Sequence, residues 1–207
     1  IDFSEVNLAE AGKACLGMIF RPEEDSEDQI TDSRCNIGWS QPLQDAINNQ
    51  INVEYTASYV YHALWAFFQR DTVALPGFAQ FFLDQSDEER THATQLMTYQ
   101  TKRGGKVVLK PVAVPSIAFD RLNSISDAQF AVDLHLQLEK FNYAKLREVH
   151  RVAQSHDDPQ MQDEVEKYLA EQLDAIKQAA DLLAQIKRCG TGHGIYHIDR
   201  VLSQHHK

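Results

Sequence analysis

The sequence predicts an all-α protein, a four-helix bundle with one long crossover and a short fifth C-terminal helix. Apolar residues return at three- and four-residue intervals from Gln41 to Lys187, and prolines are confined to boundaries and loops. Two of the three helix connections are short, whereas the third, over residues 106–125, contains Pro111 and Pro115. Two short connections and one long one indicate an up-down-down-up bundle with a single crossover.

The first two helices are bounded by proline and glycine. The first helix is predicted from about Pro42 to Phe68, and the second from about Pro76 to Arg103. Gly104-Gly105 then stops the second helix, because glycine readily adopts the left-handed conformation that ends many helices. A crossover of about twenty residues follows.

The last two long helices begin with capping residues. Ser126 and Gln129, three residues apart, form a capping-box pattern, which predicts a third helix that continues to about Gln154. Asp158-Pro159 caps and starts the fourth helix, which ends before Gly190.

The two ends of the chain lie outside these four helices. Residues 190–194 read as a flexible glycine-rich joint, and a short fifth helix is predicted from Ile195 to Gln204. Residues 1–40 lack a sustained period and are assigned to an N-terminal extension, either packed on the outside of an assembly or a disordered acidic tail. Residues 41–207 form the bundle domain. The absence of a leader before Ile1 suggests that a targeting peptide has been removed.

Composition narrows the classes of function. The chain has 207 residues, a mass of 23.6 kDa and a formal net charge of −10, with a pI near 5.3. Such a balance excludes a globally basic nucleic-acid surface and favours metal cations as partners. Three cysteines are too few for a disulfide scaffold, and no apolar run is long enough for a membrane span.

Each predicted helix carries polar side chains in the middle of its inward-facing stripe. The stripe of the first helix contains Glu54, and that of the second contains Glu89 and His92, a Glu-x-x-His pair on one face. The other polar members of the four stripes are Ser58, Tyr61, Gln85, His135, Glu139, Asn142 and Gln172. The apolar faces are therefore interrupted at a similar depth on all four helices.

Carboxylates facing one another in a dry core need positive charge. Without it, Glu54, Glu89 and Glu139 would raise one another's pKa values or unfold the bundle. No inward Lys or Arg appears at that level, so two divalent metals bridged by Glu89 are the economical explanation. Oxygen-rich ligation with one nitrogen donor suits Fe(II) or Mn(II), with Zn(II) as a competitor.

Taken singly, each of these residues has an ordinary explanation. A lone Glu54 or Glu139 on an inner stripe usually means that the stripe is drawn with the wrong rotation, and His92, Gln172 or Tyr61 alone is a common satisfied core residue. The occurrence of polar residues at a similar depth on all four helices is a stronger signal. In addition, Glu-x-x-His is the known motif of binuclear carboxylate sites in helix bundles. The motif occurs only once on the bundle face, so one metal should be held more weakly, as suits metal in transit.

Five sequence segments resemble ferritins, specifically the catalytic H-type subunit. They are Ile51-Asn-Val-Glu-Tyr-Thr-Ala-Ser-Tyr-Val-Tyr-His62, Asp87-Glu-Glu-Arg-Thr-His92, Gln100-Thr-Lys-Arg-Gly-Gly-Lys106, Leu138-Glu-Lys140 and Glu171-Gln172. The likeness runs from about residue 41 to the C-terminus and leans towards plant and green-algal plastid ferritins. It implies an iron-storage homo-oligomer of 24 bundles around a cavity, located in the plastid.

The resemblance also implies a set of reacting residues. The ferroxidase centre falls on Glu54, Glu89 and His92 for the first iron, and on the shared Glu89 with Glu139 for the second. Gln172 and Tyr61 would line the site through hydrogen bonds. The implied activity is oxidation of Fe(II) by O2, with two transient iron ions per subunit and deposition of Fe(III) mineral in the cavity.

Three further metal positions are implied by the same resemblance. They are a threefold channel at Asp163 and Glu166, near His150; inner-surface nucleation at Asp84, Asp87 and Glu88; and a fourfold channel lined by His193 and His197. The chain departs from the family pattern in two places. It is one residue shorter between Glu166 and Gln172, and threonines occupy positions 91 and 94, where acids are common in H-type chains.

Two rival functions remain open at this point. One is a di-iron carboxylate oxidase or peroxidase that does not store metal, against which the single Glu-x-x-His and the fifth helix count. The other is a helical interaction module without metal. Mass in solution and metal analysis would separate them.

Overall fold

The computed structural model describes residues 33–112 and 126–204. These residues form five helices, α1 (Gln41–Phe68), α2 (Pro76–Lys102), α3 (Asp127–Ser155), α4 (Pro159–Cys189) and α5 (His193–Leu202). Helix α1 packs along α2, α3 along α4, and α1 against α3, whereas α5 contacts α2 and α4. The described segments contain no strand and no helix with the length and hydropathy to cross a bilayer. The predicted all-α bundle with a short fifth helix is confirmed.

The boundaries of the four long helices lie within one residue of their predicted positions. Ser126 accepts a hydrogen bond from the Gln129 amide at 3.2 Å, as the capping-box pattern predicts. Asp158 caps α4 by accepting from the Met161 amide at 2.8 Å. Gly104 follows α2 with a φ of 80°, in the left-handed region that favours glycine. The predicted extension before residue 33 and most of the crossover lie outside the described residues.

The short fifth helix begins earlier than predicted. It starts at His193, so Gly194 belongs to α5 and the non-helical joint is confined to residues 190–192. A Cβ on Gly194 would lie 2.5 Å from the carbonyl oxygen of Cys189. The missing side chain therefore allows α5 to pack against the end of α4, which glycine content alone does not reveal.

Helix α4 runs as one α-helix through the region where the family resemblance predicts a missing residue. It is unbroken from Pro159 to Cys189 and contains no π-turn, the usual way in which a helix accommodates an extra residue. Glu166 is consequently exposed while Gln172, six residues later on the same helix, faces the interior.

The core consists of two apolar clusters separated by a polar layer. One cluster is centred on Phe68, Phe78 and Phe82. The other is centred on Trp39 and the apolar residues that follow the polar positions of α2 and α3. Each long helix contributes to both clusters and crosses the layer between them. This arrangement places the polar stripe residues in the middle of the bundle, with apolar packing on both sides.

One end of the bundle is tied together by an ion pair. Arg103, after α2, makes two hydrogen bonds to the Asp158 carboxylate, at 3.1 and 2.5 Å. The guanidinium also lies 4.3 Å from the Trp39 ring centroid, and the Trp39 indole donates to Gln100 at 3.0 Å. The N-terminal segment that enters α1, the end of α2 and the start of α4 are thereby held together.

At the other end, a buried carboxylate of α5 caps α2. Asp199 is 2% exposed and accepts hydrogen bonds from the amides of Gly77 and Phe78, at 2.7 and 3.1 Å. A Cβ on Gly77 would lie 1.9 Å from the Asp199 carbonyl oxygen, so only glycine permits this approach. The contact docks α5 on the bundle.

We expect Asp199→Ala to lower the free energy of unfolding by about 2 kcal/mol, because two buried amides at the start of α2 lose their acceptor. Asp199→Asn should lose less, since its amide oxygen can still accept. Denaturant unfolding followed by helical circular dichroism measures both, with the exposed Arg200→Ala as control. A loss for Asp199→Ala no larger than that of the control would contradict the capping role.

Candidate metal centre

Two carboxylates and an imidazole meet in the polar layer between α1 and α2. Glu54 and Glu89 are 1% and 4% exposed, and His92 is partly buried beside them. One ligand atom from each of the three residues lies within 4.8 Å of the other two. Such spacing is compatible with a single metal ion. The three residues come together because α1 and α2 make the most extensive contact of any pair of the described helices.

Amide side chains hold the Glu54 carboxylate in place. Gln50, one turn earlier on α1, donates to one oxygen at 2.7 Å, and Asn142 of α3 donates to the other at 2.8 Å. Gln50 also donates to the Asn142 carbonyl oxygen at 2.6 Å. The network fixes the rotamer of Glu54 from two helices, with no positive charge.

His92 bridges α2 and α4. Its Nδ1 is 3.3 Å from Glu89 Oε2, and its Nε2 is 3.5 Å from Glu171 Oε2. The ring also packs edge-on to Tyr168, with the centroids 5.7 Å apart. His92 thus has carboxylates at both nitrogens and is oriented towards the pair formed by Glu54 and Glu89.

Glu139 lies across the layer on α3 and has donors at both carboxylate oxygens. Tyr61 donates to Oε1 in a short hydrogen bond, and the Gln172 amide donates to Oε2 and, at 3.2 Å, to the Glu139 carbonyl. His135 Nδ1 lies 3.3 Å from Oε1. Glu139 therefore has protein donors at both carboxylate oxygens, as Glu54 does, and it also has the imidazole of His135 beside it.

The pKa values divide the carboxylates into two groups. Burial raises the pKa of Glu54 well above its ordinary value, and the charge of Glu89 adds to the shift. Burial likewise raises the pKa of Glu89 to about 8. Burial alone would also raise the pKa of Glu139, but hydrogen bonds and charge from His135, with hydrogen bonds from Tyr61 and Gln172, lower it below its ordinary value. Glu54 and Glu89 thus carry the unmet need for positive charge.

A cavity of about 410 Å³ opens onto this layer between α2 and α4. Its lining includes residues of the polar layer, namely Glu89, His92, His135, Glu139 and Gln172. The acidic residues Glu88, Glu171 and Asp174 line it as well. The cavity gives the buried carboxylates an acidic approach from one side of the bundle.

The donor set fits a borderline or hard divalent cation. Carboxylate oxygens outnumber the single imidazole, which suits Fe(II), Mn(II) or Zn(II) better than a soft metal. None of the described lysines or arginines pairs with Glu54, Glu89 or Glu139, whose partners are amides, a phenol and histidines. A cation in this layer would neutralise charge that the protein leaves uncompensated.

The residues predicted for the threefold channel lie on the surface. The Asp163 and Glu166 side chains are 74% and 65% exposed near the start of α4. His150 of α3 lies 3.2 Å from Glu166 through Nε2, so the expected neighbour is present. Lys167 is 3.9 Å from Asp163. Within one chain these groups form an exposed patch with both signs of charge.

The remaining predicted positions lie on two other surfaces. Asp87 and Glu88 are exposed on α2, while Asp84 is partly buried and accepts from Gln80 at 2.7 Å. Glu88 accepts from Gln85 at 2.9 Å. His193 and His197 are exposed on α5, one turn apart. Among the residues that the structure covers, only Glu54, Glu89 and His92 form a three-residue group with metal-binding spacing.

Several residues that contact the centre have no role in the predictions made from the sequence. Gln50 precedes Glu54 by one helical turn, which is a readable signal once Glu54 is chosen. Glu171 precedes Gln172 and is rotated off the inner stripe, yet it reaches His92 because the α2–α4 cavity exposes that edge of α4. Asn142 and His135 were on the stripe, but their partners could not be assigned.

Comparison with known proteins agrees with this geometry. Residues 44–189 match the family model described as a ferritin-like domain. The chain is 45% identical over 194 residues to the chloroplastic ferritin of Phaseolus vulgaris, which covers 90% of this chain and 76% of that protein. It is 44% identical over 200 residues to chloroplastic ferritin-2 of Nicotiana tabacum, covering 93% and 77%.

A solved structure agrees as well. The crystal structure of ferritin from the multicellular green alga Ulva pertusa superposes with a TM-score of 0.82 at 43% identity, covering 95% of this chain and 97% of that one. At 95% coverage, the match includes most of each of the four long helices. On the family model, the sequence identity and the superposition together, this chain belongs to the ferritin family.

Proposed function

We propose that this chain is a ferroxidase-active ferritin subunit. It binds Fe(II) at the centre of the bundle, oxidises it with O2 and passes Fe(III) to the cavity of a 24-subunit shell. The observation that carries the proposal is the group formed by the buried Glu54 and Glu89 with the partly buried His92. Its ligand atoms lie within 4.8 Å of one another, and no lysine or arginine among the described residues pairs with it.

The first iron is held by Glu54, Glu89 and His92. Glu89 lies at the centre of the layer and is the residue that can also reach the second iron, which uses Glu139. Gln172 occupies Oε2 of Glu139 and must turn away, or present its own carbonyl oxygen, when a cation arrives. The second iron therefore competes with a protein donor and is held more weakly than the first.

The residues of the layer also serve the reaction chemically. Two Fe(II) ions supply the two electrons that reduce O2 to peroxide, so a paired site matches the stoichiometry of the reaction. Apolar clusters on both sides confine water access to the cavity and strengthen the attraction between iron and carboxylates. Tyr61, 0% exposed, stays neutral because burial raises its pKa well above the ordinary value, and it orients Glu139.

The proposal of iron storage rests on membership of the ferritin family and on the negative net charge of the chain. A formal charge of −10 on each chain makes a closed shell strongly acidic, which attracts Fe(II) to its pores. The exposed patch of Asp163 and Glu166 beside His150 is proposed as the channel lining, and Asp84, Asp87 and Glu88 as nucleation residues. His193 and His197 are proposed to line a second channel. The chloroplastic relatives support a plastid location.

Glu89→Ala should slow the initial oxidation of Fe(II) by more than about tenfold, because the ligand shared by both irons is removed. Stopped-flow absorbance after mixing anaerobic Fe(II)-loaded protein with O2 measures the rate. Asp84→Ala, on the same helix but outside the three-residue group, should remain close to wild type. Equal rates for Glu89→Ala and wild type would contradict the assignment of the site.

The metal-free protein should lose stability as the pH rises through the range in which Glu89 titrates. The pKa of Glu89 lies near 4.5 in the unfolded chain and at about 8 in the fold, so the native state holds the proton more tightly and this contribution is lost as pH rises through about 8. The melting temperature of Glu89→Gln should therefore exceed that of the metal-free wild type more at about pH 8 than at about pH 5.

Differential scanning calorimetry of the chelator-treated proteins provides the measurement. Glu148→Gln serves as the matched control, because Glu148 is exposed on α3 and pairs only with the neighbouring Lys145. A difference between Glu89→Gln and wild type that does not change with pH would show that Glu89 is not held protonated in the metal-free fold.

The storage role requires a closed shell. Light scattering of the purified protein should give a mass of roughly half a megadalton, the value for 24 chains of 23.6 kDa. A monomer or dimer that still oxidises Fe(II) would favour a di-iron oxidase without a storage role, since such a species has no cavity to fill.

A further inference from the structure

His135 is a buried polar residue of the inner stripe that is not among the proposed iron ligands. It is 2% exposed on α3, one turn before Glu139. Its Nδ1 lies 2.8 Å from the Tyr61 hydroxyl and 3.3 Å from Glu139 Oε1. The ring is packed edge-on against Tyr61 and Phe81, each with centroids 5.3 Å away. A buried imidazole confined in this way has a defined orientation.

The hydrogen bonds around Tyr61 determine which nitrogen of His135 carries a proton. The Tyr61 hydroxyl has one hydrogen, which it donates to Glu139 Oε1. Its oxygen can then only accept from His135, so Nδ1 must be the protonated nitrogen. The same N–H faces Glu139 Oε1, which stabilises that oxygen further. For the other nitrogen, Nε2, the described residues provide no hydrogen-bond partner.

The two oxygens of Glu139 are consequently not equivalent. Oε1 accepts from Tyr61, which belongs to the apolar cluster on that side, and it faces Nδ1 of His135, whose ring is packed against Tyr61 and Phe81. Oε2 is held by Gln172, an unbranched amide that lines the cavity and can rotate. A cation arriving through the cavity therefore meets Oε2, because only that oxygen can exchange its donor at low cost.

We propose that His135 is a positioning residue for the second metal: its Nδ1–H secures Tyr61 and the Oε1 side of Glu139, so that Glu139 binds metal through Oε2 alone. This inference rests on the proposed ferroxidase function and deepens it. In this proposal, Tyr61 of α1 and His135 of α3 together determine how Glu139 binds the more weakly held metal. His135 is not itself a ligand in this arrangement, although the residue lines the cavity.

Two amide substitutions separate positioning from direct ligation. The side-chain nitrogen of asparagine takes the place of Nδ1, and that of glutamine takes the place of Nε2. His135→Asn should therefore keep the donor to Tyr61 and leave the second site close to wild type. His135→Gln and His135→Leu should weaken it by about tenfold, the usual effect of removing a partner that orients a metal ligand.

Calorimetric titration of the assembled, metal-free protein with Zn(II) measures both sites without turnover. Wild type should show two sites of unequal affinity per subunit in the bundle, and Glu139→Gln should lose the weaker one. Glu54→Gln should mainly weaken the tighter site. Melting temperature and mass of each variant identify any that fail to fold. Visible absorption of Co(II) at the weaker site should be the same in wild type and His135→Asn, since neither supplies a nitrogen ligand there.

The possible results are distinct. Wild-type affinities in all three His135 variants would overturn the proposal. Loss of the weaker site in His135→Asn, with retention in His135→Gln, would also overturn it, because that result would make Nε2 a ligand. If wild type bound no pair of ions in the bundle, the proposed function itself would fail. Retained tight binding with selective loss in His135→Gln and His135→Leu supports the positioning role.

Discussion

The structure depends on two carboxylates, Glu54 and Glu89, that face each other in the interior and pair with no lysine or arginine in the part of the chain that the structure describes. Moving an ionised carboxylate out of water is unfavourable unless charge or hydrogen bonds compensate for the loss. Here the amides of Gln50 and Asn142 satisfy the lone pairs of Glu54 but bring no charge. The metal-free bundle responds by holding protons, and cations would replace those protons. The residues that would bind metal are thus the ones that destabilise the metal-free fold when they ionise.

The centre is asymmetric for a physical reason. On the α1–α2 side, carboxylates and an imidazole stand close together with their charge uncompensated. On the α3–α4 side, Glu139 is already bonded to Tyr61 and Gln172. A cation gains most where it replaces protons and least where it displaces good hydrogen bonds. Such a gradient suits a protein that binds iron briefly and releases it, whereas a resident cofactor calls for matched sites.

The bundle supports this centre through its ends. The ion pair of Arg103 and Asp158 closes one end, and the Asp199 cap on α2 closes the other. Between them, the apolar clusters align the four polar stripes at one depth and leave α2 and α4 apart, where the cavity opens. Helices α1 and α2 can therefore pack closely at the candidate metal site, while the gap between α2 and α4 leaves the site accessible to ions and O2.

The sequence by itself determined the helices, because 3.6-residue periodicity and capping residues such as Ser126 and Asp158 are local signals. It also determined that Glu54, Glu89, His92 and Glu139 belong to one inward layer, since each side chain's direction follows from its place on its own helix. Which side chains touch was decided only by tertiary structure. The bonds from Asn142 to Glu54 and from His135 to Tyr61 cross between helices, and such distances depend on helix spacing and rotation, which no single helix encodes.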